Sequence, residues 1–141
     1  CRILIPVEGQ YIPIDINKDF TSPSYQQLFA ILKVLYTKDT SSIIETEIIV
    51  HEHLQACAQH AMQQFQTTID EDIQLLKTPN SNRNIYNAIR VRLGEKQLLQ
   101  WVISHSMSIV EYLQSYPQSN SPSIFIPTTQ KYLAGLRTRL Y

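Results

Sequence analysis

Ile3, Ile5 and Val7, and after a glycine Ile12, Ile14 and Ile16, place apolar side chains at every second position. That period predicts two short strands joined at Gly9. Pro6 and Pro13 withhold backbone donors, so residues 1–20 read as an edge-like hairpin or extended tail. From Thr21 the period lengthens. Ser22 caps and Pro23 opens a helix running to about Tyr36. Its buried stripe is Leu28, Ile31, Leu32 and Leu35, widened by Phe29, Val34 and Tyr36. Between Asp39 and Phe65 the pattern is again helical. The β-branched cluster Ile43, Ile44, Ile48, Ile49 and Val50 restricts side-chain torsions and predicts a break near Thr46. A regular helical period resumes through Val50, Leu54, Cys57, Ala58, Ala61, Met62 and Phe65.

Two helix starts lie close together after that. Thr68 stands three residues before Glu71 in a capping-box arrangement, and Asp70, Glu71 and Asp72 fall in the first turn, where the helix dipole favours negative charge. Pro79 ends this helix at about Lys77. Ser81 then caps a long helix over residues 81–115, about 50 Å if straight. Its apolar face is Ile85, Ala88, Ile89, Leu93, Leu99, Val102, Ile103, Ile109 and Leu113. Gly94, at a helix cost of about 1 kcal/mol, predicts the close approach of another backbone. Ser104, Ser106 and Ser108 predict a kink after His105, and Pro117 closes the helix. Residues 118–127 read as a loop with a buried Ile124-Phe125-Ile126. Thr128 or Thr129 caps a last amphipathic helix that packs Tyr132, Leu133 and Leu136. The expected fold is all-α, an orthogonal multi-helix domain over residues 1–141 with one long helix and a short N-terminal hairpin.

Composition narrows the function. Lysine plus arginine and aspartate plus glutamate number 12 each, so no net field favours nucleic acid or an anionic membrane. No apolar run approaches the length of a membrane span. Cys1 and Cys57 make neither a disulfide framework nor a zinc spacing; reduced thiols favour an intracellular protein. The chain begins with Cys, and the expectation is a piece of a longer protein.

Candidate chemistry is sparse. His53, Cys57 and His60, at i, i+4 and i+7, share a helix face on which a metal is one reading. The other is a core-facing thiol flanked by boundary histidines. His51 and His53 point to different faces and as a pair add little. Arg83, Arg90, Arg92 and Lys96 stand opposite Asp70, Glu71 and Asp72. They are either a polar rim that receives a protein partner, or a tie in which Arg92 or Arg90 fastens the acidic helix to the long one. Exposed pairs involving Lys77, Glu95 or Lys96 would be worth only tenths of a kcal/mol. Trp101 is read as core in preference to a ligand platform, and Tyr112, Tyr116 and Tyr132 are candidates to line a partner groove. There is no glycine-rich phosphate loop, no Ser/His/Asp arrangement and no His-Glu-x-x-His.

Thr67 to Asp72, Leu75 to Lys77, Arg83, Ala88, Ile89, Arg92 to Lys96, Leu98 and Leu99 form a pattern within residues 66–103. It resembles the C-terminal substrate-binding domain of SET-domain methyltransferases of the Rubisco large-subunit methyltransferase and actin-histidine methyltransferase type. The resemblance implies a non-catalytic lobe that packs beside a SET catalytic lobe and recognises a protein substrate. Residues 1–20 would then connect to the missing upstream SET domain. It also implies that S-adenosylmethionine binds in that upstream lobe, and that methyl transfer goes to a lysine, less often a histidine, of a folded protein. The SET core's own signatures are not in these residues, so this chain carries no catalytic, cofactor-binding or metal-binding residue. On this reading Arg83, Arg90, Tyr112, Tyr116 and Tyr132 face substrate or partner, while Thr68, Asp72, Arg92, Gly94, Glu95 and Lys96 hold the scaffold. The alternative is a helical adaptor or regulatory domain that binds a partner in a groove, with no methyltransferase attached. The sequence upstream of Cys1 distinguishes the two.

Overall fold

A computed structural model describes residues 1–36, 42–79 and 82–116. The alternating isoleucines form β1 (Arg2–Val7) and β2 (Gln10–Asp15), an antiparallel hairpin with Ile3 opposite Ile14 and Ile5 opposite Ile12. Glu8 and Gly9 both have positive φ, 46° and 77°, the left-handed turn whose twist matches paired strands. Ile3, Ile5, Ile14 and Ile16 are buried, so the hairpin is part of the core.

Phe20 is the hub between the hairpin and the helices. Its ring meets Tyr25 at 4.8 Å, Phe29 at 5.8 Å and Trp101 at 5.0 Å, all edge to face. The Tyr25 hydroxyl donates to the Asn17 carbonyl, and burial pushes its pKa up to about 12. Helix α1 (Pro23–Tyr36) starts as the Ser22-Pro23 signal predicts and buries Tyr25, Leu28, Phe29 and Leu32. Val34 does not widen the stripe. It points to solvent, and Ile31 and Leu35 are only half-buried, because the aromatic cluster rotates the buried face toward Tyr25 and Phe29.

Helix α2 (Ile43–Gln63) is unbroken through Thr46, against the sequence expectation. Ser42 caps it by accepting from the Glu45 amide, and the Thr46 hydroxyl donates back to the Ser42 carbonyl. Ile44 and Val50 are buried. Burying such side chains is worth about 1.5–3 kcal/mol each, which outweighs their tenths of a kcal/mol in helix propensity. A second surprise is polar. Glu47 is buried with Lys33 Nζ at 2.6 Å, and His51, expected to add little, is wholly buried against Phe20 and Phe29. Burial pushes its imidazole below its ordinary pKa, against the opposing pull of the Glu47 carboxylate.

Helices α3 (Ile69–Lys77) and α4 (Arg83–Ser115) complete the described elements. Asn82, not Ser81, caps α4: its Oδ1 accepts from the amides of Asn84 and Ile85, while Ser81 lies outside the described residues. Helix α4 continues past His105, where Ser108 bonds back to the Ser104 carbonyl and His105 to that of Trp101. Its second half supplies Leu99, Val102, Ile103, Ile109 and Leu113 to a core shared with Val50, Leu54 and Ala58 of α2. The first turns differ from expectation: Ile85 and Ala88 are exposed, and of residues 83–95 only Ile89 is buried. No described helix is long and apolar enough to cross a membrane. The expected loop, Ile124-Phe125-Ile126, Tyr132 and the last helix lie outside the described residues.

The sequence predicts close backbone approach at Gly94, and among the described residues there is none. A Cβ there would meet nothing within 4 Å. Gly94→Ala should therefore stabilise the chain by about 0.5–1 kcal/mol through helix propensity and unfolded-state entropy. A urea titration showing destabilisation would mean that something does contact this position.

Candidate functional site

The α3–α4 hairpin is built around a buried carboxylate. Thr68 caps α3 by accepting from the Glu71 amide at 3.1 Å, which sets Asp72 on the face turned to α4. Asp72 is fully buried, and so is Lys96. Lys96 Nζ donates to Asp72 Oδ2 at 2.7 Å, to the Thr67 hydroxyl at 2.8 Å and to the Thr67 carbonyl, which uses all three ammonium protons. The Thr67 hydroxyl in turn donates to Asp72 Oδ1 at 2.6 Å. Arg92 completes the set, with Nη2 on Oδ1 at 3.0 Å and Nε near Oδ2 at 3.4 Å. The Lys96 ammonium also lies 5.0 Å from the centre of the Phe65 ring. Burial by itself would raise the pKa of Asp72. The hydrogen bonds from Arg92, Lys96 and Thr67, with the charge of Lys96, overcome it and hold the carboxyl well below the usual range.

The tie between the helices thus runs through Arg92; Arg90 is exposed and takes no part. Lys96 is no surface salt bridge. Removing its partner strands a buried charge, at about 3–5 kcal/mol instead of tenths. Glu95 is half-buried and outside the hydrogen bonds around Asp72. Phe65 and Thr67 escaped the sequence reading as members of this cluster, although Thr67 stands inside the pattern that carried the resemblance.

Two surfaces flank the cluster. At the root of the hairpin a 530 Å³ cavity has Met62, Phe65 and Ile69 on its floor and Gln66, Asp70 and Gln100 at its rim. At the far end Arg83 and Arg90 are exposed, together with apolar neighbours. Tyr112 and Tyr116 pair with ring centroids 6.1 Å apart, but about 30 Å along α4 from Arg90, and Tyr132 lies outside the described residues. The four described candidates, Arg83, Arg90, Tyr112 and Tyr116, therefore fall at two separate places along α4.

His53 is structural. Its Nε2 donates to the Pro6 carbonyl at 3.1 Å, which leaves Nδ1 to accept from the Tyr36 hydroxyl at 3.2 Å. Both ring nitrogens are thereby used in tying α2 to β1 and α1. His60 is exposed, Cys57 is half-buried with its thiol pKa pushed up by burial, and no three such ligands converge among the described residues. Trp101 is half-buried, edge-on to Phe20 and stacked on His105 at 4.0 Å.

The family profile described as Rubisco LSMT substrate-binding matches residues 7–99, from the second half of the hairpin through the Asp72 cluster to the start of the α4 core. Among curated proteins, the actin-histidine N-methyltransferases of Rattus norvegicus and Mus musculus are each 28% identical to the chain over 78 residues. That stretch is 55% of this chain and 13% of each relative. No solved structure matches it.

Asp72→Asn should cost about 3–5 kcal/mol at pH 7, because it leaves the ammonium of Lys96 buried without its counter-ion. Lys96→Met, which leaves Asp72 its Arg92, should cost less. The native carboxyl titrates well below the ordinary 3.8, so its contribution is complete above that pH and is lost progressively below it. Urea midpoints measured from pH 7 down to pH 2 check both points: wild type should lose this increment below about pH 4, and Asp72→Asn should lack it.

Proposed function

The chain belongs to the Rubisco LSMT substrate-binding family, and from that membership we propose that it is the non-catalytic substrate-recognition lobe of a SET-type protein methyltransferase. The parent enzyme would move a methyl group from S-adenosylmethionine to a lysine or histidine of a folded protein. Residues 1–20 would connect this lobe to the catalytic one. The relatives named for actin-histidine methylation support the histidine branch, and the chain corresponds to a small fraction of their length.

The observation that carries this reading is how the ionisable groups of the hairpin are divided. Asp72, Lys96, Arg92 and Thr67 satisfy one another inside the α3–α4 contact, so none is available as acid, base or nucleophile. Arg83 and Arg90 stay in solvent at the end of a stiff projection. Such an element contributes by orientation: it holds a protein in register with chemistry done elsewhere, and the entropy lost on docking is recovered in the transfer step. The root cavity is lined by the carboxamides of Gln63, Gln66 and Gln100, the hydroxyls of Thr67 and Thr68 and the Asp70 carboxylate, and the nearby ammonium of Lys96 is bonded to Thr67 and Asp72. On this proposal the cofactor binds in the SET lobe, where it supplies the methyl group, and no step runs through this chain.

The test uses the full-length protein and a version lacking residues 7–116. Both should bind S-adenosylmethionine with the same Kd in calorimetry. Transfer of labelled methyl to a folded acceptor should fall by about tenfold or more in kcat/KM in the deletion, the size of effect that loss of docking contacts produces. Undiminished transfer, or cofactor binding that disappears with residues 7–116, would refute the assignment.

A further inference from the structure

We propose that the tip of the α3–α4 hairpin is a docking surface for an acidic segment carrying apolar side chains on the protein substrate. The inference rests on the substrate-recognition reading and adds to it a place and a chemistry.

Two independent observations define the surface. The first is charge. From Ile73 to Val91 the sequence contains Lys77, Arg83 and Arg90 and no aspartate or glutamate, within a chain whose formal net charge is zero. All three cations are exposed, whereas the next one, Arg92, is bonded to Asp72. The second is apolar exposure. Leu75 is 43% exposed, Ile85 48% and Val91 64%, and Tyr86 38%, although they stand on well-formed helices a few turns from a closed core. Thr67 and Asp72 pair with α4 at Lys96 and Arg92, so α3 runs antiparallel to α4 and carries Leu75 and Lys77 alongside the first turns of α4. Along α4, Arg83, Tyr86 and Arg90 at i, i+3 and i+7 share a face, whereas Ile85 falls with Ile89 and Arg92 at i, i+4 and i+7 on the side turned to α3. Exposed apolar side chains beside cations of one sign suit a partner that is apolar and acidic.

The charge distribution also ranks the other occupants. Residues 117–141 carry Lys131, Arg137 and Arg139 and no acid, so the sequence of the chain's own C-terminal segment offers no charge complementarity to the tip. A second copy presents a like-charged tip, so a symmetric tip-to-tip contact is disfavoured. An anionic membrane attracts about 1 kcal/mol per surface cation, and three cations separated by Asn82, Asn84 and Asn87 make a weak basic patch. An acidic protein segment gains from both the charge and the apolar side chains.

The probes are two blocked nonapeptides titrated into the isotope-labelled 141-residue chain. One alternates Asp or Glu with Leu and Phe; the other has Lys at every acidic position. The acidic peptide should move the amides of residues 85–91 and leave Ile109–Leu113 in place. The paired variant Arg83→Glu with Arg90→Glu should weaken it by about tenfold and turn the preference to the lysine peptide. Arg83→Gln with Arg90→Gln, a milder change at the same exposed positions, should weaken the acidic peptide without the reversal. Equal binding of both peptides, or no movement at the tip at millimolar peptide, overturns the inference while leaving the lobe's role to the deletion assay. It is equally overturned if those amides respond to phosphatidylserine vesicles and not to peptide, if they shift with protein concentration alone, or if Lys131→Glu with Arg137→Glu moves them in the absence of peptide.

Discussion

One buried carboxylate holds the projecting half of this molecule in place. Each charge taken from water costs several kcal/mol, so Asp72 and Lys96 are tolerable together only because every ammonium proton and both carboxylate oxygens are used. An apolar pair of equal volume would bind the two helices as tightly. What the charges add is register: slipping α3 one turn along α4 would separate Lys96 from Asp72 and from Thr67 in the same movement. The cap at Thr68 belongs to the same device, since it fixes where α3 begins and hence which face carries Asp72.

Register matters because of where the hairpin stands. The shared core takes up α4 from Leu99 onward, while the span from Arg83 to Lys96, about 20 Å of helix, gives that cluster none of its residues. A projection of that kind would fray if held by a few exposed contacts. A buried ion cluster at its root lets the tip display Ile85, Tyr86 and Val91 without losing its helix. A second ion pair, half-buried Lys33 with buried Glu47 beside His51, joins α1 to α2.

Local rules made much of this legible in the sequence. The period of two and Gly9 located the hairpin, Ser22-Pro23 the start of α1, and Thr68 with Pro79 both ends of α3. The density of pattern over residues 66–103 located the element on which the site is built. The features that could not be read depended on contacts distant along the chain. The isoleucines of α2 predicted a break because propensity counts only neighbours, whereas the core offsets the propensity cost of Ile44 and Val50. Gly94 looked like a packing glycine because sequence does not show that the space beside it is empty. Arg90 and Arg92 were interchangeable by residue type, and only the rotation of α4 against α3 sends one to Asp72 and the other to solvent.

That rotation also separates the scaffold from the recognising surface. On a helix, residues two apart face nearly opposite ways, so orienting Arg92 inward obliges Arg90 outward, and orienting Lys96 and Ile89 toward α3 leaves Arg83 and Tyr86 free of it. Evolution of a new partner on such an element can change the outward set while the inward set keeps its hydrogen bonds. The two sets meet only at Arg92, which is 36% exposed and bonded to Asp72. A charge change there would disturb register and surface together, whereas one at Arg83 or Arg90 would alter the surface alone.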